Sequence, residues 1–160
     1  MVFGTVQLEA IHVTGRNKGM ISHETFHVLW EKLVSQDYGN QFFNEGIQTY
    51  YEFLKSPQKV SNAVKIQKKY PDYDILKMVT KGDSQSFWSG PGEGKNNMPI
   101  SYDISGLVVK FMVENWGLDN FKRFFANPDK TEAIRTMCGV SPEQLVVNYK
   151  GWLQQFPDID

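Results

Sequence analysis

The sequence predicts an α+β fold that is mostly α, with one or two short strands at the N-terminus and helices through the remainder. Three observations carry that prediction. From position 20 onward apolar residues recur at intervals of three and four, the period of a helix with one buried face. β-Branched residues that partly alternate are confined to residues 2–13, VFGTVQLEAIHV, where Val6, Leu8 and Ala10 share one side. Recognisable start and stop residues then cut the rest of the chain into segments of ordinary helical length.

Taken in order, residues 14–19, TGRNKG, form a turn after the strand region. A helix follows over 20–36, with Met20, Phe26, Leu29, Trp30 and Leu33 at helical spacing, and Tyr38-Gly39-Asn40 ends it. A second helix covers 41–55 and stops before Ser56-Pro57. A third covers 58–70, ahead of Pro71, with Pro57 suited to its first turn. Residues 82–99, GDSQSFWSGPGEGKNNMP, make the one long irregular stretch, and compact domains rarely keep such a loop without a use for it. Helix resumes over 101–116, with Gly117 as its stop. Two short helices come next, the second opened by Asp129-x-x-Glu132. The last begins at Ser141-Pro142-Glu143-Gln144, a capping-box pattern.

The bulk properties bound the possibilities. At 160 residues the chain is read as a single domain, 1–160. A domain of this size buries roughly 70% of its unfolded surface, so it needs no disulfide or structural metal to fold. Seventeen basic residues against eighteen acidic leave a net charge of −1, which argues against a nucleic-acid binder that relies on bulk electrostatics. The lysines that thicken between Lys55 and Lys81 read as a solvated helix face. Cys138 is the only cysteine, which excludes an intrachain disulfide and a cysteine-ligated metal site. No apolar run approaches the roughly 20 residues of a membrane span. The start, MVFGTVQLEA, lacks a charged n-region and an h-region. The chain as given therefore reads as cytoplasmic, or as extracytoplasmic if residue 1 is a boundary within a longer protein.

Chemistry concentrates in residues 21–30, ISHETFHVLW. On a helix His23 and His27 stand on one face, one turn apart. Both can turn a ring nitrogen to one ion about 2 Å away while Glu24 addresses a water on that ion. Ordinary residue frequencies put such a pentad in on the order of half a percent of chains this long, so the pentad alone decides nothing. Catalytic zinc takes three protein ligands and keeps one position open, so a third ligand is required. In FFNEGIQTYYEF, residues 42–53, Glu45 falls eighteen positions after His27 and sits between Phe43 and Ile47. That is an awkward place for an unpaired carboxylate, and an antiparallel return of the second helix would bring it back to the histidines. The plainer alternatives are two partly buried helix histidines and a surface glutamate.

HETFH followed by NEGIQTYYE resembles the gluzincin metallopeptidases, in which HExxH is followed by an NEG-x-x-x-Y-x-E helix; the likeness is to their peptidase MA-like and aminopeptidase N-like branches. The resemblance implies a zincin-like helical catalytic domain that binds one zinc ion through His23, His27 and Glu45. Glu52, about two turns beyond Glu45, matches a helix glutamate of the family and would orient a histidine as a hydrogen-bond acceptor. ISYDISGLVVKFMVENWG, residues 100–117, is similar to the family's Y-x-K-G-x-x-x-L-x-M-L stretch, which puts Tyr102 in the place of the tyrosine that donates to the reacting oxyanion. Many relatives have a lysine before the glycine where this chain has Ile104-Ser105, and Gly106 is shifted by one residue; Tyr50 and Tyr73 are the alternative donors. GVSPEQLVVNYKGWL also looks like the family's terminal helix, so the resemblance runs over roughly residues 20–155.

The reaction implied is hydrolysis of a peptide or protein substrate, with Glu24 as general base toward a metal-activated water and Tyr102 as oxyanion donor. The segment before the zinc helix, Gly4-Thr5-Val6-Gln7-Leu8, lacks the acidic residue with which aminopeptidases hold a free amine, so the expectation is an endopeptidase or a peptidase of unspecified type rather than an aminopeptidase. A strand near 5–13 would hold extended peptide by edge pairing, and the Phe87-Trp88 loop either covers the cleft or anchors on the core. Relatives build several strands before the zinc helix and this chain has room for one or two: either the catalytic domain is pared down, or upstream strands belong to a longer chain, in which case apolar surface would be exposed and self-association favoured. The alternative function is a metal-binding but inactive zincin-like module that binds proteins. A further alternative is a helical domain with no metal.

Overall fold

The structure, a computed structural model, describes residues 18–34, 40–82, 84–88 and 98–157, with side chains described at all of these except 18–24, 31, 98 and 99. The strands expected over 2–13 lie outside the described residues. Every described element is helical: α1 (Lys18–Val34), α2 (Gln41–Lys55), α3 (Pro57–Lys69), α4 (Ile75–Thr80), α5 (Ser84–Trp88), α6 (Met98–Trp116), α7 (Leu118–Phe125), α8 (Lys130–Ala133) and α9 (Pro142–Leu153). Helix α8 runs on into a wider π-helical turn over Ile134–Cys138.

Local chemistry sets most of these boundaries. The Asn40 side chain accepts from the Phe43 amide and so starts α2. Pro57 occupies the first turn of α3, where its missing N–H costs nothing. Gly117, at φ +82°, turns the chain sharply between α6 and α7, a backbone conformation that few other residues adopt. Asp129 caps α8 through the Glu132 amide, and Ser141 caps α9 through the Gln144 amide. Pro57, Gly117, Asp129 and Ser141 are legible as sequence patterns; Asn40 reads only as the end of the preceding helix.

Three differences stand out. The stretch expected to be irregular over 82–99 contains α5, and α6 begins at Met98 rather than 101. Phe87 is wholly buried and drives α5 onto the core, while Trp88 Nε1 donates to Ser84 Oγ across its single turn. Helix α4 was not anticipated either; Asp74 caps it through the Lys77 amide. On α1 the inward face is Phe26, Trp30 and Val34, whereas Leu29 and Leu33 are exposed, so the expected apolar stripe is rotated away from those two leucines.

The core centres on α2 against α6, the most extensive helix pair. A Cβ on Gly46 would meet the Ser105 carbonyl oxygen at 2.9 Å, and one on Gly106 would meet the Thr49 side chain at 2.6 Å. Glycine at both places lets the two backbones close to within a methyl group's width of each other. Around them Phe43, Phe121 and Phe124 interlock, with Phe43 and Phe124 ring centroids 4.7 Å apart and edge-to-face. Trp30 brings α1 onto this cluster through Phe121 and Phe125. At the corner after α7, the buried Lys130 ammonium donates to the carbonyls of Phe124, Phe125 and Asn127. It thereby satisfies acceptors that the end of α7 leaves open. No helix among the described residues is long and apolar enough to cross a membrane.

Candidate metal centre

Helix α1 runs antiparallel to α2. Trp30, late in α1, meets the same phenylalanine cluster as Phe43, early in α2, while Phe26 stacks on Tyr51 at 4.9 Å further along. Between those two contacts His27 faces Glu45, with Nε2 and Oε2 3.4 Å apart. Glu45 is buried, 6% exposed, and its other oxygen accepts from Gln41 Nε2 at 2.6 Å. The carboxylate that looked out of place in an apolar helix start is thus turned into the α1–α2 seam.

The separation is informative. A direct N–H···O bond between charged partners is ordinarily about 2.7–2.9 Å long. Two donor atoms held tetrahedrally on one zinc ion, each about 2.0–2.1 Å from it, stand roughly 3.4 Å apart. The His27–Glu45 spacing is that of an ion pair between the two side chains and is also compatible with two ligands of a shared ion. One imidazole and one carboxylate are also suitable donors for zinc.

His23 lies one turn before His27 on α1, and Glu24 follows it; their side chains lie outside the described residues. Among the described residues no group of three or more histidine, cysteine, aspartate or glutamate side chains gathers, and His27 with Glu45 makes a pair. Cys138 sits in the π-helical turn beyond α8, where burial pushes its thiol up to about 11.

Glu52, expected to orient a histidine, is engaged on its own side of α2. It accepts from Gln48 Nε2 at 3.1 Å and forms an ion pair with Lys59 of α3. Tyr102 stands at the start of α6, its ring edge-to-face on Phe87 at 5.4 Å and tilted against Trp88 at 6.0 Å. The Phe87-Trp88 pair is therefore an aromatic anchor that also braces Tyr102. Of the alternative donors, Tyr73 is buried and its hydroxyl donates to Ser101 Oγ, which in turn donates to the Phe87 carbonyl. Tyr50 is half-buried, and burial together with the nearby Glu114 carboxylate raises its pKa.

Three residues escaped the sequence reading. Gln41 braces Glu45. Gln48 is buried at 2% exposure, and its Oε1 accepts no hydrogen bond among the described residues. Asp103, next to Tyr102, has its carboxyl pushed up to about 6 by burial, with Lys59 pulling it down and Glu52 pushing it up. Amides carry no spacing signal of their own, and the Asp103 environment exists only once α2, α3 and α6 meet. A cavity of about 510 Å³ between α3 and α9 is lined by none of the residues of the α1–α2 seam. No protein-family model, curated protein or solved structure matches the chain.

Proposed function

We propose that the chain is a zinc-dependent peptidase whose single ion is held by His23, His27 and Glu45. The observation that supports this most is the 3.4 Å approach of His27 Nε2 to Glu45 Oε2 across two antiparallel helices, with Glu45 buried and braced by Gln41. His23 adds a second imidazole one turn away, at the spacing the resemblance to gluzincins requires. When bound, zinc supplies Lewis acidity that brings the pKa of its water toward neutrality and polarises the scissile carbonyl.

The protein's own groups carry the remaining steps. Glu24 takes the proton of the attacking water and later delivers it to the leaving amine. The Tyr102 hydroxyl donates to the oxygen on which negative charge develops. Its ring is kept in place by Phe87 and Trp88, so the donor is positioned before substrate arrives.

The test pairs metal analysis with turnover. Wild type should purify with one zinc per chain and cleave an unstructured protein such as casein. A chelator should stop the cleavage and added zinc should restore it. Glu24→Gln should keep the zinc and lose at least about 100-fold in turnover, the lower end of general acid–base catalysis. Undiminished cleavage by Glu24→Gln rejects the mechanism. Stoichiometric zinc without cleavage by wild type supports the inactive module instead. Absence of zinc from wild type, with His23→Ala indistinguishable from it, removes the metal altogether.

A further inference from the structure

Helices α3 and α9 are tied together at two levels, with a hollow between the ties. Deep in the fold the Tyr149 hydroxyl donates to Gln67 Oε1 at 3.1 Å, and both residues are buried. Nearer the surface Lys68 Nζ donates to the Phe156 carbonyl at 2.9 Å, which draws the chain after α9 back over α3. All four of these residues line the cavity of about 510 Å³. Its size falls within the roughly 300–1,000 Å³ of small-molecule pockets.

The walls are largely apolar and flat. Pro71, Leu153 and Pro157 join the rings of Tyr149 and Phe156 in forming them. Phe156 is held edge-to-face by Trp152 at 4.8 Å, and Trp152 stacks on Tyr149 at 5.9 Å, so the rings keep their places without an occupant. Gln67 is used at both ends of its amide, since its Nε2 donates to the Tyr70 carbonyl.

Charge in the lining has one sign. Lys68 and Lys150 border the cavity and no carboxylate does. The exposed Lys150 ammonium has no hydrogen bond or ion pair among the described residues. Asp72 and Asp74 line a neighbouring depression, which shares with the cavity only Pro71 and Lys150. Ammonium groups beside flat apolar walls complement an anion whose charge sits at one end of a flat apolar body.

We propose that this cavity binds a small aromatic carboxylate, its ring against Tyr149, Leu153 and Phe156 and its carboxylate accepting from Lys150. Lys68 adds positive charge at the same opening while holding the Phe156 carbonyl. The proposal is independent of the zinc reading, because the cavity and the α1–α2 seam share no residue.

The experiment titrates the isotope-labelled full chain by NMR with β-naphthoate and with its neutral analogue β-naphthamide. A chelator is present throughout, so that no metal can take the carboxylate. One equivalent of β-naphthoate should saturate the protein and shift the amides around Tyr149 and Leu153. β-Naphthamide should bind at least about 10-fold more weakly, the scale of a hydrogen bond to a charged group. Lys150→Met, which changes an exposed side chain, should lose about 10-fold for β-naphthoate and nothing for β-naphthamide. Leu153→Trp should fill the cavity and abolish binding of both; should it fail to fold, Lys150→Met decides. No saturable shift at millimolar β-naphthoate overturns the proposal. So do equal affinities for the two probes, an unchanged affinity in Lys150→Met, wild-type binding by a folded Leu153→Trp, or shifts centred on His27 and Glu45.

Discussion

Against α6, helix α2 presents Gly46, Thr49 and Phe53, packed so tightly that a methyl group added at Gly46 would collide with backbone. Against α1 and α3 the same helix presents Glu45, Gln48 and Glu52, two carboxylates and an amide, of which Glu45 and Gln48 are buried. The first side gathers dispersion contacts, and its threonine returns its hydroxyl to the Glu45 carbonyl at 3.0 Å. The second side carries groups that cost free energy to bury unless something pairs with them. The contrast assigns stability to the first side and the proposed metal centre to the second. It also explains how they coexist on one helix: the dry seam fixes the register of α2, so the polar groups are held in place without having to hold the fold together.

Substitution in the dry seam offers the largest effect. In Gly106→Leu the new side chain must enter space filled by Thr49 and Phe53, which a Cβ alone would meet at 2.6 and 2.9 Å. Overpacking of a filled core costs typically about 1–3 kcal/mol, and the upper end is expected where two helices would have to separate. Urea denaturation should show this loss, while the fraction that remains folded should still titrate with zinc. Loss of zinc binding out of proportion to unfolding would break the separation between the two sides.

Glu45→Gln probes the polar side. With Glu45 as the proposed ligand, its loss should weaken zinc by at least about 100-fold, beyond the usual effect of a group placed behind a ligand and equivalent to about 2.7 kcal/mol. The metal-free protein should be unchanged or more stable by up to about 1 kcal/mol, because a buried charge has been replaced by a neutral isostere that can still meet Gln41 and His27. Chelator-treated samples compared by thermal denaturation check this. A large loss of stability without metal would show that Glu45 serves the fold rather than the site.

How much of this could be read beforehand follows from the range of the interactions. Helix α2 was legible over 41–55 because its limits are set locally, by the break at Tyr38-Gly39-Asn40 and the break at Ser56-Pro57. The Ser141 and Asp129 caps and the Gly117 turn are equally local. Glu45 was conspicuous because a carboxylate between Phe43 and Ile47 contradicts its surroundings. Helices α4 and α5 were missed since six and five residues are too few to show a period. Phe87 becomes decisive only when α6 supplies the surface it packs on. Glu52 matched a motif by spacing, but its partners are fixed by Lys59, which arrives from α3. Nothing in the sequence singled out Lys130, since its burial depends on the carbonyls that α7 ends on.

The smallest predicted effect lies where the polar side of α2 reaches α3 and α6, at Asp103. Its carboxyl is raised from 3.8 to about 6, chiefly by burial, with Lys59 of α3 opposing the rise and Glu52 of α2 adding to it. The folded state therefore keeps this proton to higher pH than the unfolded chain does. Its contribution to stability is complete below about pH 4 and is lost as pH rises through about 6, so near neutrality the ionised group destabilises the fold. Asp103→Asn should then be more stable than wild type at pH 7 by about 1 kcal/mol, a figure reduced for partial exposure and screening. The advantage should shrink on acidification and vanish near pH 4. Denaturation midpoints of the two proteins measured between pH 4 and 8 would show the gap opening. A gap independent of pH would mean that Asp103 ionises as an ordinary carboxylate, and that the corner shared by α2, α3 and α6 is as wet as any surface. A gap that opens as described marks a carboxylate beside Tyr102 that the fold tolerates at a cost.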